Sequence, residues 1–92
     1  MNYLHQEFDA APSDVIEVTL DHAANVLLLD ETNYASYRGG KPYRYQGGYV
    51  RYSPFRISPP SEGRWHLVVD LGGYAGRVRA SARLLTVATH GS

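Results

Sequence analysis

Residues 63–87 read GRWHLVVDLGGYAGRVRASARLLTV, and this stretch carries the strongest structural signal in the chain. Apolar residues fill alternate positions on both sides of a glycine-rich centre: Trp65, Leu67, Val69 and Leu71 precede it, and Val78, Ala80, Ala82 and Leu84 follow it. Alternation with a period of two is typical of strands that bury one face. Two such strands joined by a glycine-rich turn predict a β-hairpin.

The register of this hairpin follows if the turn centres between Gly73 and Tyr74. The expected cross-strand pairs are Trp65 with Ala82, Leu67 with Ala80, Val69 with Val78, and Asp70 with Arg77. Structural roles are therefore expected for Trp65 in the core, for an Asp70–Arg77 ion pair, and for Gly72, Gly73 and Gly76 in the turn. A helix over residues 77–85 is the alternative, because Val78, Ala82 and Leu85 also fit helical spacing.

Three earlier segments also predict regular structure. Residues 3–8 and 15–20 alternate as strands, and residues 25–30 (NVLLLD) form a continuous apolar run, as expected of a strand covered on both faces. Residues 31–38 predict a short helix, capped by Asp30 or Thr32 and ended by Gly39 in a left-handed conformation. The expected fold is mainly β: one antiparallel β-sandwich or flattened barrel with one short helix, spanning residues 1–88, with residues 89–92 as a tail.

Composition excludes several classes of protein. The 92 residues are 43% hydrophobic and 20% charged, which is ordinary for a globular domain. With no cysteine there is neither a disulfide framework nor a thiolate nucleophile. No apolar run approaches the roughly 18 residues of a membrane span, and the first residues lack the pattern of a secretory signal. A cytoplasmic location is expected.

The formal net charge of zero hides an asymmetry along the chain. Seven of nine acidic residues precede residue 32, whereas all nine lysines and arginines follow it. These charges are expected either to pair within one molecule or to form opposite patches, which would favour a homo-oligomer.

Residues 37–56, YRGGKPYRYQGGYVRYSPFR, hold five tyrosines, five basic residues and no acid. Tyrosine rings beside arginines suit the binding of small anions or glycans, because the ring offers a flat face and the guanidinium contacts anions. The candidate ligand-binding residues are Tyr43, Tyr45, Tyr49, Arg38, Arg44 and Arg51. The alternative is structural: the rings pack over a small core, and the arginines pair with the acidic first third.

Motifs for catalysis or cofactors are not evident. LGGYAGR is followed by a strand pattern, whereas a phosphate-binding loop needs a helix there. The four histidines lack the spacing of a local metal site, although folding could bring His5 and His66 together. Ser81 has no obvious base. No enzyme activity, cofactor or metal is therefore expected, and nucleic acid is a minor alternative because net charge is zero.

The blocks NVLLLDETNYASYRGG, YRYQGG and GRWHLVVDLGGYAGRVRASARLL resemble a bacterial family catalogued as domain of unknown function family 1883. The resemblance covers roughly residues 3–87, and WHLVVDLGGYAG is its most specific part. It implies a small β-rich protein of a kind also found attached to Toll/interleukin-receptor-type (TIR) signalling domains. That arrangement implies a sensing or interaction module more than a catalyst.

The function expected from these observations is a non-enzymatic ligand-binding or protein-interaction module, for a small anionic or glycan ligand or a protein partner. A self-assembling structural domain is the alternative, and an uncharacterised hydrolase is a distant third.

Overall fold

The computed structural model describes residues 3–71, 76 and 78–86, which form seven strands and one helix. In chain order the elements are β1 (Tyr3–Ala10), β2 (Val15–Leu20), β3 (Ala24–Leu29), α1 (Glu31–Arg38), β4 (Gln46–Val50), β5 (Phe55–Ile57), β6 (Gly63–Asp70) and β7 (Ala80–Leu85). The strands at the start of the chain and the short helix confirm the sequence prediction. No helix among the described residues is long and apolar enough to cross a membrane.

The strands form two antiparallel sheets. The larger sheet has the order β1-β6-β3-β4, and the smaller sheet has the order β5-β2-β7. Neither sheet closes into a barrel within the described ranges. The fold is therefore the predicted antiparallel β-sandwich, and the flattened barrel is not formed.

The main core lies between the two sheets. Ile16 and Val18 of the smaller sheet are fully buried, and they belong to the same cluster as Val26, Leu28 and residues of β6. The residues of β6 and β7 in this cluster are Trp65, Leu67 and Val69, with Ala80, Ala82 and Leu84 packed against them. The alternation in residues 63–87 thus correctly identified which side chains face the core.

A second, smaller cluster lies on the opposite face of the larger sheet. Leu27, Leu29 and Val68 project there and pack with Tyr37 of α1, while Tyr3 and Tyr34 flank them. β3 is therefore buried on both faces, which confirms the prediction made from its continuous apolar run. The helix forms a third layer, and we call this face of the larger sheet the helix side.

The ends of the helix are fixed by local hydrogen bonds. Asp30 is the N-cap, and its Oδ1 accepts from the Asn33 backbone N–H at 2.8 Å. Gly39 does not adopt the left-handed conformation that we expected, since its φ is −85°; Gly40 does, with φ 71°. The Gly40 N–H donates to the Tyr37 carbonyl, and the Lys41 N–H donates to the Ser36 carbonyl. This is a Schellman motif with the glycine one residue later than predicted.

The predicted hairpin between β6 and β7 is wrong. Trp65 lies opposite Phe8 of β1, and Ala82 lies opposite Val18 of β2, so the two strands belong to different sheets. The reason is that β6 pairs with β1 on one edge and β3 on the other. Both edges of β6 are therefore occupied, and β7 pairs across the core in the smaller sheet.

The prediction of a strand for the segment before residue 86 is confirmed over Ala80–Leu85, and the alternative helix is not formed there. Gly72, Gly73 and Arg77 lie outside the described residues, and so does the predicted contact of Arg77 with Asp70. Gly76 has φ 128°, a conformation that favours glycine.

Candidate functional site

Tyr43 and Tyr45, two of the candidate ligand-binding residues, lie at the surface on the helix side. The rings of Tyr43 and Tyr45 contact each other with centroids 5.8 Å apart, and Tyr43 meets Tyr37 edge to face at 5.2 Å. Tyr43 is 36% exposed and Tyr45 is 47% exposed. Burial, and then the nearby Asp70 carboxyl, raise the pKa of Tyr43. This pair is half packed against the helix and half open to solvent.

Tyr49 lies on the same face of the sheet by register. It is the cross-strand partner of Asn25, whose amide donates to Asp70 on the helix side at 2.9 Å. Directly opposed residues of an antiparallel pair project to the same face. Tyr49 therefore adds a third exposed tyrosine to this surface.

The three candidate arginines differ in their partners from the arginines that form salt bridges. Arg38 lies over the Tyr34 ring at 5.7 Å, and the Arg44 backbone N–H donates to Asn33 Oδ1 at 2.7 Å, which holds this segment against α1. Within the described residues, Arg38, Arg44 and Arg51 form no salt bridge with a carboxylate.

Other arginines pair with the acidic first third of the chain. Glu17, which is 8% exposed, accepts from Arg56 and Arg83, with closest contacts of 2.8 Å. Hydrogen bonds from Arg83 and then Arg56 lower the pKa of Glu17. Arg64 contacts Glu7 and Asp9 at 3.2 and 3.3 Å. Among the arginines of residues 37–56, Arg56 thus pairs with the acidic first third as the structural alternative expects, whereas Arg38, Arg44 and Arg51 form no such pair within the described residues.

A second polar cluster, which we call the histidine cluster, comprises His5, Glu7, Glu31, Tyr34 and His66. His5 Nε2 lies 2.8 Å from His66 Nδ1, so the contact anticipated between these two residues is formed. The register explains it, because Glu7 lies opposite His66 and His5 projects from the same face of β1 two residues earlier. The other ring nitrogen of His66, Nε2, contacts Glu31 Oε1.

Tyr34 covers both imidazole rings. Its centroid is 4.4 Å from that of His5 and 4.2 Å from that of His66, with planes within 9° of parallel. The two imidazoles are themselves nearly parallel, with centroids 5.0 Å apart, so Tyr34 lies above their junction. Burial, and then the tyrosine's hydrogen bond with Tyr3, raise the pKa of Tyr34 to about 12. Tyr34 is therefore neutral at physiological pH.

These contacts are consistent with a defined tautomer of the histidine pair. With the Glu31 carboxylate as acceptor, Nε2–H of His66 donates to Glu31, and Nδ1 of His66 accepts from Nε2–H of His5. Burial, and then the neighbouring His66, lower the pKa of His5. A depression of about 430 Å³ borders this cluster and is also lined by Ala35, Arg38 and Arg64.

The predicted structural residues of β6 are deeply placed. Trp65 is 7% exposed, and its Nε1–H donates to the Ser61 carbonyl at 3.0 Å. Asp70 is 5% exposed and accepts from the Tyr37 hydroxyl at 2.7 Å. Asp70 thus connects the larger sheet to the helix.

The histidine cluster is a candidate site that the sequence alone did not indicate. The alternation of β1 places His5 and Glu7 on one face, and this part of the cluster could be predicted from the sequence. His66, however, lies 61 residues from His5 along the chain, and the pairing of β1 with β6 was not predicted.

The fold and these surfaces define a small β-sandwich with one helix on the larger sheet and two polar clusters beside that helix. Residues 1–88 match the model of the domain of unknown function DUF1883, and the chain belongs to that family. No curated protein and no solved structure matches the chain significantly.

Proposed function

We propose that this domain is a non-enzymatic binding module that holds a small anionic ligand. The ligand would bind on the surface of Tyr43 and Tyr45, with the candidate arginines Arg38, Arg44 and Arg51 supplying the positive charge. The observation that carries the proposal is the contrast between the two groups of arginines. Arg56, Arg64 and Arg83 form salt bridges with carboxylates, whereas Arg38, Arg44 and Arg51 form none within the described residues.

The exposed tyrosines supply the other half of the binding chemistry. An aromatic face that is already packed on one side loses little conformational entropy when a ligand stacks on the other. Tyr43 is held by Tyr37, and it in turn supports Tyr45. A planar anion, such as a nucleotide or an aromatic carboxylate, would gain stacking and charge neutralisation together.

A titration against a panel of nucleotides, phosphosugars, aromatic carboxylates and neutral oligosaccharides tests this function. Binding of an anionic member should weaken as salt rises, because counterions screen the arginines. Tyr45→Ala and Arg44→Ala should abolish the binding without lowering the melting temperature.

Matched controls are available in the same chain. Tyr52 is 64% exposed and contacts Phe55 of the smaller sheet, and Arg79 bonds to Asp21 through its backbone N–H. Tyr52→Ala and Arg79→Ala should leave binding intact. If no panel member binds while Tyr45→Ala and Arg44→Ala both lose stability, these side chains serve the fold and the proposal fails.

Self-assembly through complementary charges is the competing function. The internal pairs of Glu7, Asp9 and Glu17 give it less support, since those acids are already neutralised within one molecule. Sedimentation at several salt concentrations separates the two functions: an oligomer that dissociates as salt rises would favour assembly, whereas a monomer at every salt concentration favours ligand binding. We place the binding event in the cytoplasm because the chain contains no cysteine.

A further inference from the structure

We propose that His5, His66 and Glu7 form a binding site for a divalent transition metal ion, with Zn²⁺ as the best-suited ion. One ligand atom from each residue lies within 4.8 Å of the others. Two imidazoles and one carboxylate form a donor set typical of zinc sites that leave a fourth position open to water or to a ligand. Arg38 borders both this site and the tyrosine surface, but Tyr45 and Arg44, which test the proposed function, are not among the metal donors, so the two proposals can fail independently.

The first support is the way the backbone presents the donors. Glu7 and His66 are directly opposed on adjacent strands, and His5 is two residues from Glu7 on the same face. All three residues lie on paired strands and not on loops, so the spacing of their backbone positions is fixed while the side chains can still rotate.

The second support is the contact of Glu31 with the far nitrogen of His66. Histidines that bind metals almost always donate their other ring N–H to a carboxylate or carbonyl, which fixes the tautomer and makes the ligating nitrogen more basic. The contact with Glu31 favours the tautomer in which Nδ1 of His66 carries a lone pair directed at His5, and Nδ1 is the nitrogen that a metal would need.

Metal binding requires a defined rearrangement. Two nitrogens bound to one tetrahedral zinc at about 2.0–2.1 Å lie roughly 3.3 Å apart, whereas His5 and His66 are 2.8 Å apart in the hydrogen-bonded pair. His5 must move its Nε2 proton to Nδ1 and pivot so that both lone pairs converge. It is the exposed member of the pair, whereas His66 is 5% exposed, so His5 is the ring that moves.

Charge compensation also fits. Arg64 contacts both Glu7 and Asp9, so it keeps Asp9 as a partner when the Glu7 carboxylate turns to the metal. Glu7 and Glu31 together then balance a dication. Because Arg64 competes for Glu7, Arg64→Gln is expected to bind the metal at least as tightly as the wild type.

The test uses the full chain, with Zn²⁺ competed against a chromophoric chelator and Co²⁺ as a spectroscopic probe. One equivalent of Zn²⁺ should bind, and Co²⁺ should give the intense visible bands of a four-coordinate site. The ring ¹⁵N resonances of His5 and His66 should shift, together with the ring protons of Tyr34 as His5 leaves its stacked position.

Variants identify the ligands. His5→Gln and Glu7→Gln change exposed residues, so folding should be retained, and each should weaken binding by more than the roughly 10–100-fold typical of losing an outer-shell partner. Glu31→Gln should fall within that range and move the pH dependence of binding, while the Co²⁺ spectrum keeps its four-coordinate form.

His22→Gln is the matched control, because His22 is an exposed histidine beside an aspartate, Asp21, at 3.2 Å. It should bind Zn²⁺ like the wild type. No binding at millimolar Zn²⁺, or binding that survives His5→Gln and disappears with His22→Gln, would overturn the proposal.

Discussion

Gly47 shows how a single residue fixes the path of an edge strand. It lies in β4 with φ 110°, and a Cβ atom built on it would overlap the carbonyl oxygen of Val26 in β3. Gly48 also has a positive φ, 152°, but a Cβ there would meet nothing within 4 Å. At Gly47 there is no room for a side chain. At Gly48 there is room, and glycine is favoured only because it adopts a positive φ easily.

Gly47→Ala should therefore be more destabilising than Gly48→Ala. Both variants incur strain of about 1 kcal/mol or more, since alanine is disfavoured at positive φ. Only Gly47→Ala must also displace the backbone of β3. Urea denaturation of both proteins measures the difference, and equal losses of unfolding free energy would contradict this account.

Trp65 is the largest side chain in the core between the sheets. Trp65→Ala should lower the free energy of unfolding by about 3–5 kcal/mol, because it leaves a cavity and removes much buried apolar surface. Trp65→Phe should lower it less, because most of the packing is retained and the main loss is the hydrogen bond to Ser61. Chemical denaturation followed by far-ultraviolet circular dichroism checks both values, and a loss below about 1 kcal/mol for the alanine variant would refute the assignment.

At the scale of elements, a buried hydrogen bond from Tyr37 helps to hold α1 to the larger sheet, together with apolar contacts and the more exposed contacts of Glu31 and Tyr34. The Tyr37 hydroxyl donates to Asp70 in β6. Burial, and then this bond to the carboxylate, raise the pKa of Tyr37 above its usual range. The helix is only eight residues long and would be marginal alone, so this docking accounts for its stability.

Tyr37→Phe tests the docking bond. We expect a loss of about 1.5–3 kcal/mol, the range for hydrogen bonds to charged groups. Tyr34→Phe is the control, because its hydroxyl contacts that of Tyr3 at 3.2 Å, and a neutral pair of this kind contributes only about 0.5–1.5 kcal/mol. Amide hydrogen exchange should show faster opening of α1 in Tyr37→Phe, and unchanged protection there would contradict the role of the bond.

At the scale of the whole molecule, acidic residues of the first third pair with arginines of the remainder, and one such network spans the smaller sheet. Glu17 on the central strand β2 accepts from Arg56 on β5 and from Arg83 on β7. One carboxylate therefore links all three strands. The acidic and basic parts of the chain thus form ion pairs within one molecule.

This arrangement predicts a loss of stability in acid. The pKa of Glu17 is lowered in the folded state, so the unfolded chain binds the proton first as pH falls. The stabilisation is complete above the usual value of 4.5 and is lost as pH decreases from there through the lower folded value. Urea denaturation between pH 3 and 7 should show a weaker pH dependence for Glu17→Gln than for the wild type. Identical slopes would contradict the prediction.

The sequence by itself determined the local structure of this protein. Apolar patterns identified β1, β2, β3, β6 and β7, and Asp30 marked the start of the helix, whereas β4 and β5 were not predicted and the left-handed glycine after the helix is Gly40 and not Gly39. These features depend on interactions between residues a few positions apart, so a single stretch of sequence contains them.

The tertiary structure alone decided which strands pair. Alternation shows which face of β6 meets the core, but it does not distinguish β7 from β1 and β3 as partners, because all offer a similar apolar face. Partner choice depends on the burial achieved by every strand at once. The histidine cluster follows from that choice, since the β1–β6 pairing and the helix bring together His5, His66 and Glu31, residues separated by up to 61 positions.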